Sequence, residues 1–226
     1  MSYQELINPF LNSERQLRNG WWITLSIQFD TVLKKMESIM KEPSTNWRFW
    51  LFWVLAFLSF PVAGLLAAFV VPVTTPVRAL IAGTIAGAAL GFIQWLVLKS
   101  RLPSLSLWWV AATSIGFAIG LAIGTALLGS ETAGNELLWR GAITGLCIGI
   151  AQWIILRQVL PLPQSVIWIG VVSLGWPLGW FVTRAAGIDL SFKWYVFGMS
   201  GALAFQLLTG LALYFLLRST KELRLS

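Results

Sequence analysis

Two stretches of this chain carry a glycine at every fourth position and then close on a glutamine–tryptophan pair. The first is Gly83, Gly87, Gly91 and Gln94-Trp95, ending at Leu98-Lys99. The second is Gly141, Gly145, Gly149 and Gln152-Trp153, ending at Leu156-Arg157. A worn third copy runs Ala202, Gln206 and Gly210, with Tyr214 in the tryptophan's place and then Leu217-Arg218. A four-residue spacing stacks positions on one helix face, and glycines there let a second helix approach to backbone contact. The pattern is one of helix packing in a membrane, and no catalytic site repeats with it.

Composition agrees. Hydrophobic residues make up 57% of the chain and charged residues 11%, against roughly 25% charged in a soluble domain. Six apolar segments fall near 49–71, 78–98, 107–128, 137–156, 166–183 and 194–217. Each is long enough to cross a hydrocarbon core of ~30 Å. The expected fold is therefore an all-α integral membrane protein with six transmembrane helices. No cleavable signal peptide is expected, because the first 46 residues are polar and the first span comes late. The single Cys147 lies within a span and excludes an intramolecular disulfide.

The net charge of +7 has a topological cause. Six basic residues, from Arg15 to Arg48, precede or open the first span. Lys99 and Arg101 follow the second, Arg157 the fourth, and Arg218, Lys221 and Arg224 the sixth. The opposite side holds only Arg78, Arg140, Arg184 and Lys193. The positive-inside rule then puts both termini in the cytoplasm, in a bacterial inner or thylakoid membrane, and no nucleic-acid partner is implied.

The repeat is longer than the glycine run. Gln94 and Gln152 are 58 positions apart, as are Leu102-Pro103 and Leu160-Pro161. After one inserted residue, Trp109, Ser114, Gly116 and Gly120 fall on Trp168, Ser173, Gly175 and Gly179. Trp53, Pro61 and Gly64 give a fainter copy. The unit is a helical hairpin, expected three times as parallel repeats at about 47–103, 104–163 and 164–221. A tail of residues 222–226 follows. Residues 1–46 form a separate segment. From Trp22 onward its apolar residues, Leu25 to Met40, have the spacing of an amphipathic helix in the cytoplasmic interface.

Five polar side chains in or beside the spans are candidates for ligand or helix contact. Gln94 and Gln152 lie about five residues, ~7 Å of rise, from the cytoplasmic end, where an amide serves to bond a neighbouring helix. Gln206 is twelve residues from Arg218. That puts it near mid-membrane, where an amide must find a partner, so it is the first choice for a site residue. Arg140 and Arg184 are expected to snorkel towards non-cytoplasmic water, within reach of Glu131, Glu136 and Asp189. The packing candidates are Gly83, Gly87, Gly91, Gly141, Gly145 and Gly149. Of fourteen tryptophans, Trp47, Trp50, Trp95, Trp108, Trp109, Trp139, Trp153 and Trp194 are near span ends, as an aromatic belt requires. Trp176 and Trp180 lie deeper and flank Pro177.

Enzyme chemistry finds no footing. Gly198-Met199-Ser200-Gly201 resembles the nucleophile motif of rhomboid proteases, yet the chain has no histidine to serve as base. The same absence removes His-ligated haem and most zinc sites. No carboxylate lies inside a span. No metal and no cofactor are expected.

The segments Gly91-Phe-Ile-Gln94-Trp95 and Gly149-Ile-Ala-Gln152-Trp153, each followed by a Trp-rich span, resemble a set of small six-span membrane proteins of cyanobacterial type whose activity is uncharacterised. That resemblance covers about residues 80–180, implies a six-span repeat architecture and carries no activity. Glu14-Arg15-Gln-Leu-Arg18-Asn-Gly20-Trp21-Trp22 is similar to the lead-in of CAAX-type intramembrane proteases, whose catalytic Glu-Glu-x3-Arg motif and histidines are missing. Three parallel hairpins also resemble mitochondrial carriers, without the charged Pro signature of their odd spans. The leading expectation is a non-catalytic interaction or assembly module. It would use its glycine faces and N-terminal helix to bind another membrane protein, or itself, in the lipid bilayer. The alternatives are a permease or channel for a small neutral or apolar solute, and a lipid or pigment binder.

Overall fold

The computed structural model describes residues 31, 46–130, 135–187 and 198–223. The expected interfacial helix of residues 1–46 lies outside these, apart from Thr31 and Asn46, as do Glu131, Asp189 and Trp194. Arg48–Ser226 form one compact unit. Every element described is helical: α1 (Asn46–Leu55), a 3-10 turn (Ala56–Leu58), α2 (Ser59–Val70), α3 (Pro76–Lys99), α4 (Trp108–Leu128), α5 (Glu136–Leu156), α6 (Leu162–Ala185) and α7 (Met199–Leu223). Taking α1, the turn and α2 as one, six helices are long and apolar enough to cross a membrane. Their outward side chains include Leu66, Leu96, Ile119, Ile150, Leu174 and Phe215, all exposed. Such a surface suits lipid and is costly in water.

The ends of the helices follow local chemistry. Pro76 opens α3, and the Thr75 hydroxyl caps it by accepting from the Arg78 N–H at 3.3 Å. Pro161 and Pro163 start α6 at Leu162, four residues earlier than hydropathy alone predicts. The first span, expected to be one helix, is broken. Pro61 has no N–H for the Phe57 carbonyl and its ring crowds the turn before it, which is where the 3-10 residues lie. The last span also departs from 194–217, with α7 described from Met199 and running on to Leu223.

Each span packs on the next in sequence, and α7 returns to the first, closing a ring. The glycine ladders form the joints. A Cβ on Gly83 would lie 2.7 Å from the Ala118 Cα, and one on Gly87 2.7 Å from the Ser114 Cα, so α3 and α4 meet backbone to backbone. A Cβ on Gly145 would lie 2.8 Å from the Val172 carbonyl oxygen, and one on Gly149 3.0 Å from that of Ile169. Gly141 faces the Trp180 ring. Gly116 and Gly120 serve the reverse joint, against Ile148 and Thr144 of α5. In the last joint only Gly210 remains, facing Trp53 and Trp50 of the first span.

Candidate functional site

At the end of the bundle marked by Lys99 and Arg157, three tryptophans from alternate spans converge. Trp53, Trp109 and Trp168 are 0%, 0% and 1% exposed. The Trp168 ring lies 6.2 Å from each of the other two. Leu98, Leu102, Leu156 and Leu160 fill the space around them. Trp109 is thus a core residue and not the belt residue expected from its place near a span end. Its neighbour Trp108, 68% exposed, has the outward position. Trp95 and Trp153 keep partly exposed places, each under the cation one turn on: the Lys99 Nζ is 4.5 Å from the Trp95 ring and the Arg157 guanidinium 5.0 Å from that of Trp153.

One turn deeper, the glutamines join this layer. The Trp168 indole N–H donates to the Gln152 Oε1 at 2.9 Å. The Gln152 Nε2 donates to the Thr113 hydroxyl at 2.9 Å and to the Gln94 Oε1 at 3.2 Å. Thr113 passes its own proton to the Trp109 carbonyl at 2.8 Å. The direction of this chain is forced. An indole can only donate, so Gln152 must turn its oxygen to Trp168 and its nitrogen to Gln94, and Gln94 must answer with oxygen. The Gln94 amide nitrogen is left with no acceptor among the described residues. Gln94 and Gln152 therefore do bond across helices, as their depth implied, and they bond each other.

Gln206 is 3% exposed, yet among the described residues its amide bonds only within its own helix, at 3.3 Å to the Thr209 hydroxyl. That hydroxyl accepts from the Trp53 indole at 3.0 Å and gives its proton to the Phe205 carbonyl at 2.8 Å. Thr209, Thr113 and the tryptophan triad carry as much of the network as the glutamines. Sequence reading passed over them because threonine in a span signals little and tryptophan depth does not reveal which face it occupies.

Between these groups lies a cavity with about 40 Å³ of space for the centres of water molecules. A single water needs roughly 10–15 Å³ on that measure. Every span contributes to the wall, through Phe60, Gln94, Phe117, Gln152, Trp176 and Gln206 among others. Among the described residues no titratable side chain lines it. Arg140 and Arg184 stand apart. Arg140 is buried at 6% exposure with its stem across Gly124, in place of the expected snorkelling. Arg184 is exposed and donates to the Asn135 Oδ1 at 3.0 Å. Glu136 is exposed at the start of α5.

No family model, curated protein or solved structure matches the chain. The cavity and its hydrogen-bond network are what carry a functional reading.

Proposed function

We propose that this chain is a non-catalytic membrane protein that admits a small neutral solute to the cavity lined by its six spans, as a permease or channel. The observation that carries this reading is the cavity wall itself. It draws on all six spans, presents the buried amides of Gln94, Gln152 and Gln206, and has no titratable group among the described residues. A lining without charge suits an uncharged solute, since a buried ion would lack a counter-charge. The assembly reading loses its main surface, because the glycine faces it relied on are filled by helices of the same chain.

Three hairpin repeats about an axis along the bundle are part of the proposal. They are supported by the equivalent places of Trp53, Trp109 and Trp168, and by Gly91, Gly149 and Gly210 each facing the following odd span. The termini are assigned to the cytoplasm of a bacterial-type membrane on the distribution of basic residues. With Cys147 replaced by serine, single cysteines at Ser130 and Ser226 should label from opposite sides. Labelling of both from one side overturns that topology.

Flux tests the function. Proteoliposomes in an osmotic light-scattering assay should pass urea, acetamide or glycerol faster than empty liposomes, and Gln206→Leu should reduce the rate several-fold. Rates equal to empty liposomes for all three solutes would refute permeation.

A further inference from the structure

The glutamine network leaves a donor over at the cavity wall. Each amide oxygen of the Gln152–Gln94 pair already accepts one bond, the Gln152 oxygen from Trp168 and the Gln94 oxygen from Gln152. The Gln94 amide nitrogen has no acceptor among the described residues, although Gln94 is only 6% exposed. The Trp176 indole N–H is buried without a partner as well. Gln206 is adaptable. With the Thr209 proton on the Phe205 carbonyl at 2.8 Å only the amino end of the Gln206 amide can bond that hydroxyl, and with the proton turned to the Gln206 Oε1 at 3.3 Å the amino end is free. A free amide N–H on a largely apolar wall favours an occupant that supplies an acceptor.

The rest of the wall describes the body of that occupant. Trp176 is the hub of an aromatic cage, with ring centroids 5.1 Å from Phe117, 5.6 Å from Phe205 and 6.2 Å from Phe60. All four rings line the cavity. Such a cage takes an apolar body, and flat or cyclic ones best.

We infer that the cavity is a binding site for a small uncharged carbonyl compound, its oxygen accepting from the Gln94 amide and its apolar body held among Phe60, Phe117, Trp176 and Phe205. The inference rests on the reading of the cavity as a solute site and narrows it to a chemical class. Water alone would satisfy the donors but leave the aromatic walls wet.

Two probes of one shape separate these cases: cyclohexanone, and methylenecyclohexane, in which a C=CH2 group replaces the C=O. Binding is measured by equilibrium dialysis against the full chain in nanodiscs, with empty nanodiscs subtracting bilayer partition. Cyclohexanone should bind about five- to tenfold tighter, as one net hydrogen bond requires. Gln94→Leu should bring the two probes to equal affinity. Equal affinities in the wild type overturn the carbonyl assignment, and so does an absence of binding beyond the bilayer control. This wild-type comparison stands even where Gln94→Leu fails to fold. Cyclohexanone preference without solute flux keeps the site and removes permeation. Flux of urea or acetamide without the preference keeps permeation and removes the site.

Discussion

Three joints in the ring begin from the same ladder of positions, and they end differently. In the first, Gly83, Gly87 and Gly91 bring α3 against α4. In the second, Gly141, Gly145 and Gly149 bring α5 against α6. In the third, the ladder reads Ala202, Gln206, Gly210, and of these only Gly210 brings α7 close to the first span, at the Trp53 and Trp50 side chains. Gln206 stands where the other joints have Gly87 and Gly145. Its side chain needs the room that a neighbouring backbone occupies elsewhere. Ala202 and Gln206 line the cavity, whereas Gly83, Gly87, Gly141 and Gly145 do not. The cavity thus opens on the side where the glycine ladder is lost, at Ala202 and Gln206. The seam is held by the Trp53 bond to Thr209 and by the approach of Gly210 to Trp53.

The largest effect comes from filling a tight joint. Gly87→Leu or Gly145→Leu places four carbons where a single Cβ would already be under 3 Å from the facing helix. Overpacking of this kind costs about 3 kcal/mol or more when backbone cannot yield. Thermal unfolding in mild detergent should show the loss. Gly170→Leu is the control, because a Cβ there meets nothing within 4 Å and the side chain enters lipid. Equal losses at Gly87 and Gly170 would mean that the ladder is not a packing device.

Smaller substitutions compare the joint with the seam directly. Gly83→Ala drives a methyl into the backbone of α4, at Phe117 and Ala118, and should cost about 1–3 kcal/mol. Gly210→Ala meets only the Trp53 and Trp50 side chains, and should cost less than half as much. The reverse order would show that the seam is the tighter contact. Equal costs would erase the distinction.

The glycine ladder was legible because spacing alone fixes which residues share a helix face, and close approach then follows from the missing side chains. Six spans were legible from length and hydropathy. The inner network was not. Trp108 and Trp109 are adjacent in sequence and equal in depth, but successive helical residues point about 100° apart, so one faces outward and the other fills the axis. Depth was readable and direction was not. The same limit applies to Arg140, where proximity to a span end predicted exposure, yet Gly124 leaves space for its stem inside the bundle. The Pro61 break could have been foreseen from the proline. The orphaned Gln94 nitrogen could not, since it depends on a partner, Trp168, that lies 74 positions away.

The two kinds of glutamine should differ in what they stabilise. Gln152→Leu removes the centre of a network. It leaves the Trp168 indole and the Gln94 oxygen unpaired in the core, at a cost of about 1–2 kcal/mol. A double-mutant cycle with Trp168→Phe should recover part of that loss, because the indole donor is then gone too. If the cycle shows no coupling, the 2.9 Å bond has no energetic role.

Gln206→Leu is expected to change stability least, within about 0.5 kcal/mol of zero. Among the described residues the amide has one hydrogen bond, at 3.3 Å, to a hydroxyl that bonds the Phe205 carbonyl more closely, at 2.8 Å. Removing it forfeits little, and leucine of similar length adds apolar surface to an aromatic-walled space. Solute passage is where the substitution should register, because the seam cavity then loses an amide from its wall. A large destabilisation would make Gln206 a structural partner like Gln152. A neutral substitution with unchanged flux would leave it without any role in the cavity. Only unchanged stability together with reduced flux fits a residue that the third ladder carries in place of glycine for the sake of the space around it.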